Sequence, residues 1–122
     1  MEITGASKGR LAEDVAVLHV EGLGWEVLAT RLRTPVGEVD ILAVDRGSLV
    51  VVEVKARSGT RFGDALEAVG SAKVRRLLVA AGYWLSVSDH RAVAGVRLDV
   101  IAVDLSAGGP RLLRHYRDVL AA

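Results

Sequence analysis

The sequence contains no cysteine. That excludes a disulfide framework, a thiolate zinc site and a cysteine nucleophile together, and it suits a reducing compartment. It also lacks any apolar run near the roughly 18 residues of a spanning helix, because charges interrupt every segment. Met1, Glu2, Ile3 and Thr4 do not have the basic-then-apolar layout of a secretory signal, so a cytoplasmic protein without a membrane partner is expected. A dominant charge is missing as well. Sixteen basic residues stand against fifteen acidic ones, a net charge of +1, so global charge selects no partner class. No repeat, low-complexity segment or linker interrupts the chain.

What is present is an ordinary globular composition, 51% hydrophobic and 25% charged over 122 residues. A chain of this length buries roughly two thirds of its unfolded surface and needs no staples, so residues 1–122 are expected to form one domain. Between Arg31 and Arg76, nine basic residues face six acidic ones, a local hint of a basic surface.

Hydrophobic periodicity and turn residues define the elements. Thr4 or Ser7 is positioned to cap a first helix that runs to about Leu23, where Gly22 and Gly24 stop it. Leu11, Val15 and Leu18, with Ala12 and Ala16, mark its apolar side, and Asp14 and Glu21 its wet side. Strands are expected over 25–33, 38–44 and 49–56, with turns at 34–37 and 45–48. A polar loop at Ser58, Gly59 and Thr60 precedes a helical stretch that starts at Asp64, breaks at Gly70 and runs on from Ser71 to about Leu85. A strand over 95–105 and a short one over 112–116 complete an order α-β-β-β-α-β with one further strand. This is an α/β fold with a central mixed sheet flanked by helices.

Two of these strands carry charges that a buried strand should not. Glu53 and Lys55 lie two apart and therefore share a face, inside the otherwise apolar stretch Leu49, Val50, Val51, Val52, Glu53, Val54, Lys55, Ala56. The preceding strand carries Glu38 and Asp40, also two apart. A two-residue turn at Arg46 and Gly47 pairs Asp45 with Ser48, which sets Ile41 against Val52, Val39 against Val54, Asp40 against Glu53 and Glu38 against Lys55. A slip of one residue would mix the apolar and charged faces. Opposed carboxylates repel by roughly 4 kcal/mol at about 4 Å and an effective dielectric near 20, so a cation or a shared proton belongs between them. Mg²⁺ meets that need, since it takes one or two carboxylates, keeps waters and accepts substrate phosphates. A neighbouring lysine can then orient the attacking water. An acid-x-Lys triplet alone is weak, because this composition yields about 0.4 by chance. The competing structural reading is a salt-bridged hairpin with Glu38–Lys55 and Glu53–Arg57 pairs on a solvated face.

Glu13 lies off the wet side of the first helix and is a third candidate acid, or else a flank residue paired with Arg10. Lys73 falls on the apolar side of its helix with Leu77, Ala80 and Trp84, either to reach a phosphate or to snorkel. His19, His90 and His115 share no ligand spacing and read as surface or core residues. Asp99 reads as a structural acid that caps a network or pairs with Arg97. Ser7, Ser58 and Ser71 have no partnered histidine, so a hydrolase triad is unsupported.

Asp40, a twelve-residue gap and then Glu53-Val54-Lys55, after an acid-bearing helix, resemble the PD-(D/E)xK nuclease superfamily, although Val39 stands where the naming proline would be. More closely, the chain resembles the YraN family of small bacterial proteins. The likeness rests on Gly9-Arg10-Leu11-Ala12-Glu13, Arg33, Gly37-Glu38-Val39-Asp40, Val52-Glu53-Val54-Lys55-Ala56-Arg57, Phe62-Gly63, Lys73 and Arg97-Leu98-Asp99. The resemblance implies a restriction-endonuclease-like core similar to that of archaeal Holliday junction resolvases. It maps Glu13, Asp40 and Glu53 to metal-binding acids and Lys55 to the catalytic lysine, with Glu38 in a supporting position. Mg²⁺ or Mn²⁺ would be the cofactor. The partner would be DNA, branched on the resolvase analogy, and a homodimer would suit the two cuts of a four-way junction. Arg33, Arg57, Arg61 and Lys73, with Arg75 and Arg76, are the candidate phosphate contacts near the acids. The alternative is a catalytically inactive nucleic-acid-binding or accessory protein that keeps the nuclease fold; the near-neutral charge favours it slightly.

Overall fold

The computed structural model describes residues 5–57, 69–88, 94–106 and 108–120. Thr4, the loop at Ser58, Gly59 and Thr60, Arg61, Phe62, Gly63, Asp64 and His90 lie outside the described residues. The elements follow in the order α1 (Gly5–Gly22), β1 (Glu26–Arg33), β2 (Glu38–Asp45), β3 (Ser48–Arg57), α2 (Ser71–Val87), β4 (Gly95–Asp104) and β5 (Arg111–Tyr116). The strands form one sheet in the order β1-β2-β3-β4-β5. β3 and β4 run parallel and every other neighbouring pair is antiparallel, so the sheet is mixed as expected. The connection from β3 to β4 contains α2, the length of crossover a parallel pair requires. A mixed sheet flanked by two helices agrees with a restriction-endonuclease-like core.

β3 is the central strand, and Leu49, Val50, Val51 and Val52 are all fully buried. A strand covered on both faces reads as a continuous apolar run rather than an alternation. Val50 and Val52 face α1 in one core cluster, whereas Leu49 and Val51 face α2 in the other. α1 meets the sheet through Ala12, Ala16 and Val20, four residues apart, and the two alanines permit close approach. Of the expected apolar side, Ala12 and Ala16 are buried and Val15 packs against the core, and only Leu18 is misplaced. Leu18 is 71% exposed, because two residues beyond Ala16 it points about 200° round the helix. Ser7 lies within the helix rather than before it.

Arg46 and Gly47 both adopt left-handed backbone, φ 49° and 84°, the conformation of a two-residue type I′ hairpin. That turn fixes Asp45 against Ser48 and carries the expected register through to Ile41 against Val52. The ladder ends there. The pairs expected beyond it, Val39–Val54, Asp40–Glu53 and Glu38–Lys55, are not ladder pairs. The Asp40 side chain is the cause: its Oδ2 accepts the Val54 N–H at 2.8 Å, a donor that a β2 carbonyl would otherwise have taken. β2 also rotates at this point, since Ile41 packs on the α1 side whereas Val39 joins Leu42 on the α2 side.

A candidate acid and lysine cluster at the end of the β2–β3 ladder

Where the ladder stops, three elements bring charges near one another. β2 supplies Asp40, β3 supplies Glu53 and Lys55, and α2 supplies Lys73 from its first turn. Glu53 is 4% exposed, and its Oε1 accepts a hydrogen bond from Lys73 Nζ at 2.7 Å. Lys55 Nζ lies 3.3 Å from the same oxygen. One buried carboxylate oxygen is thus shared by two ammonium groups. Lys73 was a candidate phosphate contact from sequence, and its apolar helix face was the only signal that it had a buried partner. The competing hairpin reading did not include this partner.

Electrostatics follow from the crowding. Burial, and then the Glu53 carboxylate beside it, push Asp40 up to about 7, against the Val54 N–H and the Lys73 charge, which pull it down. Burial and neighbouring Lys73 hold the Lys55 ammonium below its ordinary value. Burial also pulls on Lys73, but its bond to Glu53 outweighs burial and the net direction is up. Two carboxylates and a desolvated lysine in one place are characteristic of a site built to handle charge.

Glu13 approaches from α1. Its carboxylate is raised by burial, against the pull of Arg31 and with smaller contributions from Glu38 and Glu53. Arg31 Nη1 stands 3.8 Å from Glu13 Oε1, in place of the Arg10 pairing considered from sequence. That oxygen is buried and accepts no hydrogen bond among the described residues. Glu38 is exposed at the start of β2, opposite Arg33 at the end of β1. With Gly37, Lys73, Arg76 and Leu77 it lines a hollow of about 250 Å³. Arg57 ends β3, and its Nη1 donates to the Ala56 carbonyl at 2.9 Å. The structure therefore joins Glu53, Lys55 and Lys73 directly and places Asp40 and Glu13 within their field. Arg33, Glu38 and Arg57 lie at strand ends.

Hard oxygen donors suit Mg²⁺ or Mn²⁺ rather than a thiophilic metal. Among the described residues, no three acidic or histidine side chains are drawn into a ready-made cage. Asp40 and Glu53 would be the pair to meet a hard ion, because burial and then the Glu53 carboxylate disfavour an uncompensated charge on Asp40, and Mg²⁺ asks for only one or two protein carboxylates. The buried, hydrogen-bond-free oxygen of Glu13 is a further acceptor at the edge of the same field.

A second polar network lies on the α1 side of the sheet. Asp99, fully buried, accepts from Arg97 Nε at 3.0 Å and from the Asp118 N–H at 2.9 Å. Its Oδ2 lies 2.8 Å from His115 Nε2, and His115 Nδ1 lies 3.0 Å from His19 Nε2. The expected Asp99–Arg97 pair is present. The joining of His19 to His115 was not visible in their spacing, since 96 residues separate them.

The fold and site define a small α/β protein with a mixed sheet and a cluster of acids and lysines around the buried Glu53 at the end of a hairpin ladder. The chain belongs to the family described as "Uncharacterised protein family UPF0102", whose model matches residues 12–103. This agrees with the YraN-like resemblance and is consistent with the nuclease superfamily. A UPF0102 protein of Mycolicibacterium gilvum is 44% identical over 118 residues, which cover 95% of each chain. One of Frankia casuarinae is 43% identical over 109 residues, 89% of this chain and 92% of the relative. One of Mycolicibacterium smegmatis is 48% identical over 104 residues, 83% of this chain and 82% of the relative.

Proposed function

We propose that this protein is a divalent-metal-dependent DNA endonuclease that hydrolyses a phosphodiester at the Asp40–Glu53–Lys55 cluster. The observation that carries this reading is geometric: the half-buried Asp40, fixed by the Val54 N–H at the end of the ladder, lies near the buried Glu53 carboxylate, which has Lys55 Nζ 3.3 Å away. Asp40 and Glu53 would hold Mg²⁺ or Mn²⁺, with Glu13 reaching the ion through water. When bound, the ion would neutralise phosphate charge and make water a better nucleophile. The protein's own groups have separate tasks. The Val54 N–H fixes the Asp40 carboxylate, so its other oxygen is presented in one orientation. Lys55 Nζ, with its proton affinity lowered, is suited to orient the attacking water and to steady charge growing on the phosphate. Arg33, Arg57, Arg61 and Lys73 would take flanking phosphates, which position DNA without reading its bases. Branched DNA, with the protein as a homodimer on a four-way junction, follows from the superfamily resemblance.

The test offers linear, flapped and four-way DNAs with Mg²⁺ or Mn²⁺. Cleavage should require the metal and should disappear in Asp40→Ala and Lys55→Ala. Activity that survives either substitution would place the chemistry elsewhere. One observation favours a second reading, a DNA-binding accessory protein without turnover: Glu53 is already neutralised by two lysines. Binding without cleavage, indifferent to metal and to Asp40→Ala, would select it.

A further inference from the structure

The outer face of α2 continues the site in a direction that the proposed chemistry does not use. Lys73 and Arg76 line the hollow of about 250 Å³ beside Gly37 and Glu38. Arg76 also lines a second hollow of about 310 Å³, with Val36, Ala72, Arg75 and Val79. The two hollows share Arg76 and run between α2 and the turn that joins β1 to β2. That turn is a firm wall, because Thr34 Oγ1 donates to the Gly37 carbonyl at 2.7 Å and accepts the N–H groups of Val36 and Gly37 at 3.2 and 3.1 Å. Arg75 and Arg76 are exposed, and neither forms an ion pair with an acid among the described residues.

Beyond the arginines the same helix face turns apolar. Val79, Tyr83 and Val87 recur every four residues and are 51%, 42% and 64% exposed. From Lys73 to Tyr83 the helix rises about 15 Å, room for a few nucleotides. Cations next to the acids, followed by an exposed aromatic ring between aliphatic neighbours, make up a surface for a strand whose phosphates and bases are both available. A duplex would satisfy the cations, but its stacked bases could not use Tyr83. Unpaired bases can, since stacking on an aromatic side chain tolerates every base.

We propose that the substrate reaches the Asp40–Glu53 cluster with a single-stranded segment laid along α2, its phosphates over Lys73, Arg76 and Arg75 and a base stacked on Tyr83. This rests on the nuclease reading above and narrows it to DNA that carries an unpaired strand next to the cut.

The experiment measures binding by fluorescence anisotropy in Ca²⁺, which suppresses cutting, on an oligothymidylate, a blunt duplex and the same duplex with a single-stranded tail. The parent should bind the tailed duplex at least tenfold more tightly than the blunt one. Tyr83→Ala should collapse that preference about tenfold, the loss expected for one stacked base, whereas Tyr83→Trp should keep it. Arg76→Ala should reduce the slope of log affinity against log salt on the oligothymidylate by about 0.7. Equal affinity for tailed and blunt duplexes, or a preference unmoved by Tyr83→Ala, would overturn the proposal. Mg²⁺-dependent cutting of blunt duplex that is lost in Asp40→Ala would then leave the nuclease reading standing alone. Absence of binding to all three DNAs would remove both.

Discussion

Asp40 and Val54, fourteen residues apart, are joined by a 2.8 Å hydrogen bond in which a side-chain oxygen does the work of a strand carbonyl. The substitution ends the β2–β3 ladder at Val52, immediately before Glu53 on β3, and places a carboxylate where the paired backbones stop. Four consequences of this arrangement and its surroundings can be measured.

Asp40→Asn keeps an acceptor for the Val54 N–H, whereas Asp40→Ala leaves that donor unpaired. The alanine variant should be less stable by about 1–3 kcal/mol at acid pH, where the asparagine variant and the parent should coincide. Above pH 7 the order changes. An acid raised from 3.8 to about 7 binds its proton more tightly when folded, so parental stability falls as pH rises from 4 to 7. The full shift corresponds to at most about 4 kcal/mol. Asp40→Asn, which has no such proton to lose, should exceed the parent at pH 8 by about 1–2 kcal/mol in urea unfolding. Parallel curves at all pH values would refute the assignment.

Lys73 neutralises Glu53 in the metal-free protein. Its replacement by methionine should lower the melting temperature without divalent ions, because one compensating charge is lost from a buried carboxylate. Mg²⁺ should then raise the melting temperature more in Lys73→Met than in the parent. An equal rise in both would mean that the ion does not meet Glu53.

Glu13 carries a buried oxygen without a hydrogen bond, so Glu13→Gln should change stability by less than about 0.5 kcal/mol. Metal-dependent cleavage should fall by at least tenfold if that oxygen serves the ion through water. Unchanged cleavage would confine Glu13 to its pairing with Arg31.

The Asp99–His115–His19 network predicts two separate acid steps. Burial, then His115 and Arg117, lower the His19 proton affinity even though it lies in the last turn of α1, where the helix dipole would favour a charge. A histidine lowered on folding stabilises fully above its unfolded value near 6.5 and loses that contribution as pH falls through it. Burial works against Asp99, yet its bonds to His115 and Arg97 hold it below the usual carboxylate range. Its contribution should therefore persist until pH drops below about 4. Because Asp40 acts in the opposite sense over this range, the His19 step is read as a difference: the stability of His19→Gln relative to the parent should rise as pH falls from 7 to 5, and the urea midpoint of the parent should decline below pH 4. A variant curve parallel to that of the parent from pH 7 to 5 would contradict the network.

The strands, their order of appearance and the first five pairs of the β2–β3 register were legible because period-two patterning and the Arg46–Gly47 turn are local. The same patterning put Glu53 and Lys55 on one face. It did not show that Asp40 would leave the ladder to take the Val54 N–H, because the pattern assumes backbone pairing throughout. The Lys73–Glu53 bond depends on where α2 docks, which no periodicity specifies. Leu18 was misplaced because apolar character alone does not distinguish a long exposed side chain from the small alanines that admit a helix to a sheet. His19 and His115 meet only once both ends of the sheet layer are in place.

The parallel pairing of β3 with β4 also bears on synthesis. The β1–β2–β3 meander leaves the ribosome as a local unit, but the other edge of β3 stays open until residues 95–104 emerge. That edge displays Leu49, Val50, Val51 and Val52, a segment prone to pair with its copies on neighbouring nascent chains. Glu53 and Lys55 follow at once, and a charge that closes such a run acts as a gatekeeper against aggregation. The side chains proposed for hydrolysis in the folded protein thus also guard its most vulnerable strand before folding is complete, and neutralising both at once should reduce soluble yield.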